Sequence, residues 1–225
     1  MELSKDARAN LDENLRRWGD RGAWQGDLNY GLKWSDQTHC RVIAEKYLHP
    51  FLPTRGGAEE ESPGAPLEIL EISPGAGRFS VELLRFAKSM VFVDLSPVCI
   101  EICRERFRYL PDARFFVNDG SSLGMLGDES FDLIASWDSF VHIDREIVER
   151  YVAQFPGKLR RGGLAWIHHS AHGRTEEGWR SNMTAALMRE YAERHGLLVR
   201  AQVFRSRVEE PRPRYEDCVS VLVRP

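Results

Sequence analysis

Over residues 3–18 the apolar side chains Leu3, Ala7, Leu11, Leu15 and Trp18 recur at helical spacing, which predicts an amphipathic helix. The period is then lost: residues 19–34 are rich in glycine and aromatic rings and follow neither a helical nor a strand pattern. A second helix is predicted from Ser35 to Leu48, capped by Ser35 or Asp36 and stopped by Pro50. Pro53 to Pro66 mixes proline, glycine and a run of glutamates, the composition of an exposed linker. Beyond it, short apolar runs alternate with helical stretches. Strands are expected near 67–72, 90–94, 113–117, 131–136, 163–169, 197–205 and 218–223. Helices are expected near 79–88, 97–108, 144–160 and 181–195. Such alternation predicts an α/β fold, a doubly wound, mainly parallel seven-stranded sheet covered on both faces. No helix separates the last two runs, so they should close as a C-terminal antiparallel hairpin. The chain thus divides into an N-terminal helical arm (1–52), a linker (53–66) and one core domain (67–225).

The first strand–helix junction reads Glu71-Ile72-Ser73-Pro74-Gly75-Ala76-Gly77. Glycines at such a turn let backbone N–H groups approach a ligand that any Cβ would hold off. Glu71 ends the strand, where it can face a cation. Asp94 ends the next strand, at the distance expected for a carboxylate on a ribose. One carboxylate for an ammonium and one for a diol suit S-adenosylmethionine, which carries both. They suit a pyrophosphate poorly, because Glu71 would repel it. Ser80 also stands where a dinucleotide fingerprint carries its third Gly or Ala.

On these residues the chain resembles the class I S-adenosylmethionine-dependent methyltransferases over roughly residues 67–170. That family opens with an acidic residue followed by Gly-x-Gly-x-Gly; Glu71, Gly75 and Gly77 match, and Ser73 replaces the first glycine. The resemblance implies a methyl-donor site on Glu71, Ser73, Gly75, Gly77, Asp94 and Leu95, continued by Asp119 and Gly120 at the third strand's end. It implies that Asp119 accepts from the adenine amino group; an Asx turn is the other reading of Asn118-Asp119-Gly120. Trp137, just past the fourth strand, can stack near the cofactor. Trp34 would belong to an N-terminal lid of the kind many small-molecule methyltransferases carry. Trp18, Trp24 and Trp34 can equally anchor the arm to the core.

The family places donor and acceptor just past the fourth strand. Here that stretch is Ser136-Trp137-Asp138-Ser139, not the Asn-Pro-Pro-Tyr type run of enzymes that methylate nucleobases or glutamine. Asp138 can hold an acceptor hydroxyl or amine. His142 can take a proton, or can cap a turn. The fifth strand ends in His168-His169-Ser170-Ala171-His172, and alternation sends His168 and His169 to opposite sides. His169 joins His142 and Asp138 as the catalytic candidates. Asp138, His169 and His172 also raise a divalent site, but no H-x-x-x-H helix supports one and no metal is expected. Ser181 or Asn182 reads as a helix N-cap. The loop around Tyr215 either borders the acceptor or is solvated.

The charge balance of −3 across 225 residues offers no basic excess to follow a phosphate backbone, which argues against nucleic acid. The N-terminus lacks an apolar signal core and no run is long enough to span a bilayer, so a cytoplasmic protein without a membrane partner is expected. Cys40, Cys99, Cys103 and Cys218 lack C-x-x-C spacing and read as buried thiols. The resulting expectation is methyl transfer to an oxygen or nitrogen of a small polar acceptor: a sugar, an amino sugar or a sugar-bearing natural product. A nicotinamide-dependent oxidoreductase and a non-catalytic cofactor-binding protein are the rivals.

Overall fold

The computed structural model describes residues 2–25, 37–52, 66–173, 179–206 and 216–225. Trp34, the linker between residues 53 and 65, and Tyr215 lie outside the described residues. Helices α1 (Lys5–Trp18), α2 (Arg21–Gln25) and α3 (Gln37–Tyr47) precede the sheet. The core then runs β1 (Leu67–Ile72), α4 (Ser80–Leu83), β2 (Ala87–Asp94), α5 (Pro97–Arg106), β3 (Arg114–Val117) and β4 (Phe131–Phe140). It closes with α6 (Arg145–Lys158), β5 (Leu159–Ser170), α7 (Ala185–Arg194), β6 (Leu198–Ser206) and β7 (Glu216–Val223).

The seven strands form one sheet in the order β3-β2-β1-β4-β5-β7-β6. β1 to β5 pair in parallel, and β7 lies antiparallel to both β5 and β6. Neighbouring residues of one strand feed opposite faces. Leu70 and Val91 join the core under α6 and α7, while Ile69 and Phe92 join the one lined by α3 and α5. Burial on both faces is why the strands read as unbroken apolar runs. The strand order reverses between β1 and β4, so the crevice lies at their carboxyl ends.

Three local expectations change. The helix expected over 79–88 is only four residues long, Ser80–Leu83, because the chain has already turned into β2. The Phe86 carbonyl accepts from Leu67 N–H, and Ala87 stands beside Leu67 in the sheet. β4 continues past Ser136 to Phe140, with an irregular register between those two residues. The last core helix is capped by Thr184, whose hydroxyl accepts from Leu187 N–H, not by Ser181 or Asn182. Asn182 instead bonds Arg145 N–H and the Asp144 carboxylate, tying the loop after β5 to the start of α6.

Candidate active site

The turn after β1 is built as backbone. Ser73, Gly75 and Gly77 have φ of 57°, 56° and 73°. Ser73 thus takes the left-handed conformation that the missing glycine would take, and the turn survives the replacement. Its N–H donates to the Val93 carbonyl at 2.7 Å, and its own carbonyl accepts from Ser139 Oγ at 2.9 Å. From α5, Cys103 Sγ donates to the Gly75 carbonyl at 3.2 Å and Arg106 to that of Ala76 at 2.8 Å. A Cβ on Gly77 would come within 2.5 Å of the Phe107 ring, so this glycine lets α5 close on the turn.

Two carboxylates stand at the neighbouring strand ends. Glu71 is buried and accepts from Ser80 Oγ at 2.5 Å; burial pushes its carboxyl up to about 8. Asp94 accepts from Gly75 N–H at 3.2 Å and Ser96 N–H at 2.8 Å, and burial raises it to about 6. At the end of β3, Asn118 closes an Asx turn on Gly120 N–H, and one oxygen of Asp119 accepts from the N–H groups of Ser121 and Ser122. The turn reading of Asp119 therefore holds for that oxygen; the other takes no hydrogen bond among the described residues. Leu95 packs over Gly120, whose φ is 79°.

Across the switch point the crevice is lined by side chains. Asp138 sits in the irregular stretch of β4 with φ 57°. Such a bulge re-aims a side chain. Its carboxylate accepts from Arg78 at 3.0 Å. Burial raises this carboxyl, but Arg78, with His168, His142 and Arg180, outweighs burial and holds it below the usual range. The Asp138 N–H donates to His168 Nδ1 at 3.2 Å, so His168 carries its proton on Nε2. That nitrogen lies 3.5 Å from Asp217 Oδ2, beyond a good hydrogen bond. Asp217 is gripped by both arms of Arg180 at 2.8 and 2.7 Å, all of it buried. Burial opposes ionisation there, yet His168 and Arg180 bring Asp217 down to about 2.

His142 stands where the arm meets the core. Its Nδ1 lies 2.7 Å from the Trp179 carbonyl, and a carbonyl only accepts, so the proton is on Nδ1 and Nε2 keeps its lone pair. Burial lowers the ring to about 4, so it is neutral at pH 7. It stacks on Trp179 with centroids 4.6 Å apart, while Trp18 approaches at 6.1 Å and Arg17 lies 4.0 Å over the Trp179 ring. Trp18 also meets Trp24 at 5.5 Å. Its carbonyl accepts from Trp24 Nε1, Ser96 Oγ and Cys99 Sγ. A Cβ on Gly75 would come within 3.0 Å of the Trp24 ring, and one on Gly120 within 2.6 Å of Leu11. The arm therefore closes over the same glycines that shape the cradle.

A family model described as a methyltransferase domain matches residues 69–163. By this match the chain carries a methyltransferase domain, from β1 into β5. Three solved structures share its fold. The N-methyltransferase NodS of Bradyrhizobium japonicum, in complex with S-adenosylhomocysteine, is 15% identical with a TM-score of 0.64, covering 96% of this chain and 98% of that one. Magnesium protoporphyrin IX methyltransferase of Synechocystis, with bound S-adenosylmethionine, is 13% identical with a TM-score of 0.63, covering 100% of both chains. The 1,6-didemethyltoxoflavin N1-methyltransferase of Burkholderia thailandensis is 16% identical with a TM-score of 0.66, covering 100% of this chain and 91% of that one. Among curated proteins nothing matches the chain.

The residues present fit S-adenosylmethionine, the group bound in the Synechocystis structure. Left-handed glycines stand at the ends of β1 and β3, and the paired carboxylates Glu71 and Asp94 suit a cation and a diol. The residues expected on the acceptor side do not all converge. His169 faces away from Asp138, with Nδ1 on the Ser170 carbonyl and Nε2 on Ser220 Oγ, both at 2.8 Å. Its neighbour His168 is the residue beside Asp138, as strand alternation requires. His172 pairs with Glu216 at the surface, so Asp138, His169 and His172 go to three different partners. Trp137 stacks between Phe79, Trp166 and His168 as part of the core. Arg78 was not singled out by the sequence, and His168 was named only as one of two strand-end histidines. Arg78 and His168 sit one and zero residues from noticed motifs, but Asp217 is legible only through its pairing with Ser170 across the β5–β7 ladder.

Proposed function

We propose that this methyltransferase acts on an oxygen or nitrogen of a small polar acceptor in the cytoplasm, with a sugar, amino sugar or sugar-bearing natural product as the acceptor class. One observation carries the reading: His142, whose Nε2 keeps its lone pair, lies near enough to the half-buried carboxylate of Asp138 for each to shift the other's ionisation. An acceptor O–H or N–H needs such a pair, one group to orient it and one to take its proton. Among the described residues, Asp138, His142, Arg78 and Trp179 supply charge, hydrogen bonding and a ring face, which suit a polyhydroxylated or amino-bearing ring better than a purely apolar one. Two of the structural neighbours are N-methyltransferases by name, which supports nitrogen as an acceptor atom.

S-adenosylmethionine supplies the electrophilic methyl group. Glu71, Ser73, Gly75, Gly77, Asp94, Leu95, Asp119 and Gly120 would hold it, and Trp24 and Leu11 of the arm would exclude water above them. Asp138, its charge fixed by Arg78, orients the acceptor. His142 Nε2 takes the acceptor proton, while the Nδ1 bond to Trp179 keeps the ring in that tautomer. His169, engaged at both nitrogens, packs the strand.

Methyl release from S-adenosylmethionine across a panel of sugars, amino sugars and small amines tests this. One class should turn over, and His142→Gln should slow it by about a hundredfold or more. Wild-type turnover in a His142→Gln/His169→Gln double variant would remove the base from the mechanism.

A further inference from the structure

Helix α1 carries asparagine at positions 10 and 14, one helical turn apart, on the side turned to the core. Asparagine is a poor helix former, because its side chain competes for backbone bonds. Here both amides are spent on one short segment. Asn10 Nδ2 donates to the His142 carbonyl at 3.0 Å, and Asn10 Oδ1 accepts from Asp144 N–H at 2.9 Å. The same side chain thus brackets residues 142–144 from both ends. Asn14, almost fully buried, directs its Nδ2 to the His142 carbonyl at 3.3 Å and to the Asn10 carbonyl at 2.9 Å. Ser4, at the head of the helix, donates its N–H to Glu146 in the next turn of chain. Packing alone would not need this. An apolar pair at 10 and 14 could pack α1 on the core, but it would leave the His142 carbonyl and the Asp144 N–H without these partners.

What the amides hold is the backbone under the candidate base. The His142 ring is pinned on Trp179 by its Nδ1 bond and its stacking, and α1 adds Trp18, which approaches both rings. We infer that Asn10 and Asn14 are positioning residues for His142: by clamping its carbonyl to α1 they set where Nε2 stands relative to Asp138, so that docking of the arm and assembly of the base are one event. The inference rests on the reading of His142 as the proton acceptor. The charged groups that face the ring are Asp138 from β4, Arg180 from the segment after β5 and Asp217 from β7, with Arg17 of α1 over its stacking partner.

The test needs no acceptor. Histidine-labelled full-length protein is titrated by NMR with S-adenosylhomocysteine present, in wild type, Asn10→Ala and Asn14→Ala. His169, buried on the other side of β5 and also held to about 4, is the internal control. In the wild type His142 titrates far below a free imidazole. In Asn10→Ala its midpoint should rise by about a unit as the ring gains water, with a smaller rise in Asn14→Ala, while His169 stays where it was. A His142 signal that does not move, or a rise shared equally by His169, overturns the clamp. Should Asn10→Ala fail to fold, Asn14→Ala, which loses the longer bond to His142, decides by the same criteria. Failure of the base reading is a separate outcome, seen as wild-type turnover in His142→Gln with the titration result unaffected.

Discussion

Over β1, β2 and β3 the crevice is made of backbone: left-handed residues at 73, 75, 77 and 120, with Asp94 and Asn118 closing turns within their own neighbourhoods. Over β4, β5 and β7 it is made by side chains whose partners lie far apart in the chain, Arg78 with Asp138, His168 with the Asp138 N–H, and Arg180 with Asp217. In the proposed function the first half is the shape that holds the cofactor, and it tolerates little change in bulk. The second is the charge arrangement that holds the acceptor, and it tolerates little change in charge. Ser136 and Ser139 join the two, donating to the carbonyls of Ile72 and Ser73. A third device spans both: among the described residues four non-glycine residues have positive φ, and three of them, Ser73, Asp138 and Trp179, border the crevice. Strain of that kind collects where surrounding structure over-determines the backbone.

If the contrast is right, the largest effect comes from a charge on the acceptor side. Asp217→Ala withdraws the carboxylate that holds the buried Arg180, at a cost of about 3–5 kcal/mol, read by urea unfolding; a loss under about 1 kcal/mol would mean that the pair is not the anchor of that half. Next comes a methyl group on the donor side. Gly77→Ala sets a Cβ against Phe107 at positive φ and should lose about 1–3 kcal/mol, together with measurable S-adenosylhomocysteine binding by calorimetry.

A pH effect follows from Glu71. Its carboxyl is raised in the folded chain, so the native state holds a proton that the unfolded state releases between about pH 4.5 and about 8. This contribution is complete below about pH 4.5 and is lost as pH rises through about 8. Unfolding free energies of the cofactor-free protein should therefore fall across that window, and Glu71→Gln should flatten the fall. Binding of the cationic donor should favour the carboxylate and release a proton near pH 7, visible as a binding heat that depends on the buffer. Equal heats in phosphate and Tris would show that Glu71 does not meet the cation. The smallest effect sharpens the account of strain. Ser73→Gly relieves a left-handed serine but loosens the unfolded chain, so stability should change by less than about 1 kcal/mol, with donor binding retained.

The fold was legible because the central strands are buried on both faces and the helices on one, so the period of the apolar residues reports the layer they enter. The helix expected at 79–88 failed for a tertiary reason: Leu67 needed a partner, and residues 86 and 87 supplied it. The turn after β1 was legible because Gly75 and Gly77 set local backbone geometry, which is written in consecutive residues. Serine at 73 kept that geometry without being a glycine. The choice between His168 and His169 was not legible, since alternation says only that they differ. It took the β5–β7 register to put Ser220 against one and Asp217 near the other. Nor could the pattern of α1 reveal that two asparagines on its inner face reach His142, more than a hundred residues away. Sequence by itself determined the parallel sheet, its antiparallel close and the left-handed bend after β1, because periodicity and glycine act over short separations. Only the tertiary structure decided which charged side chains meet, because a salt bridge between residues 180 and 217, or 78 and 138, is fixed by where the sheet brings strand ends together.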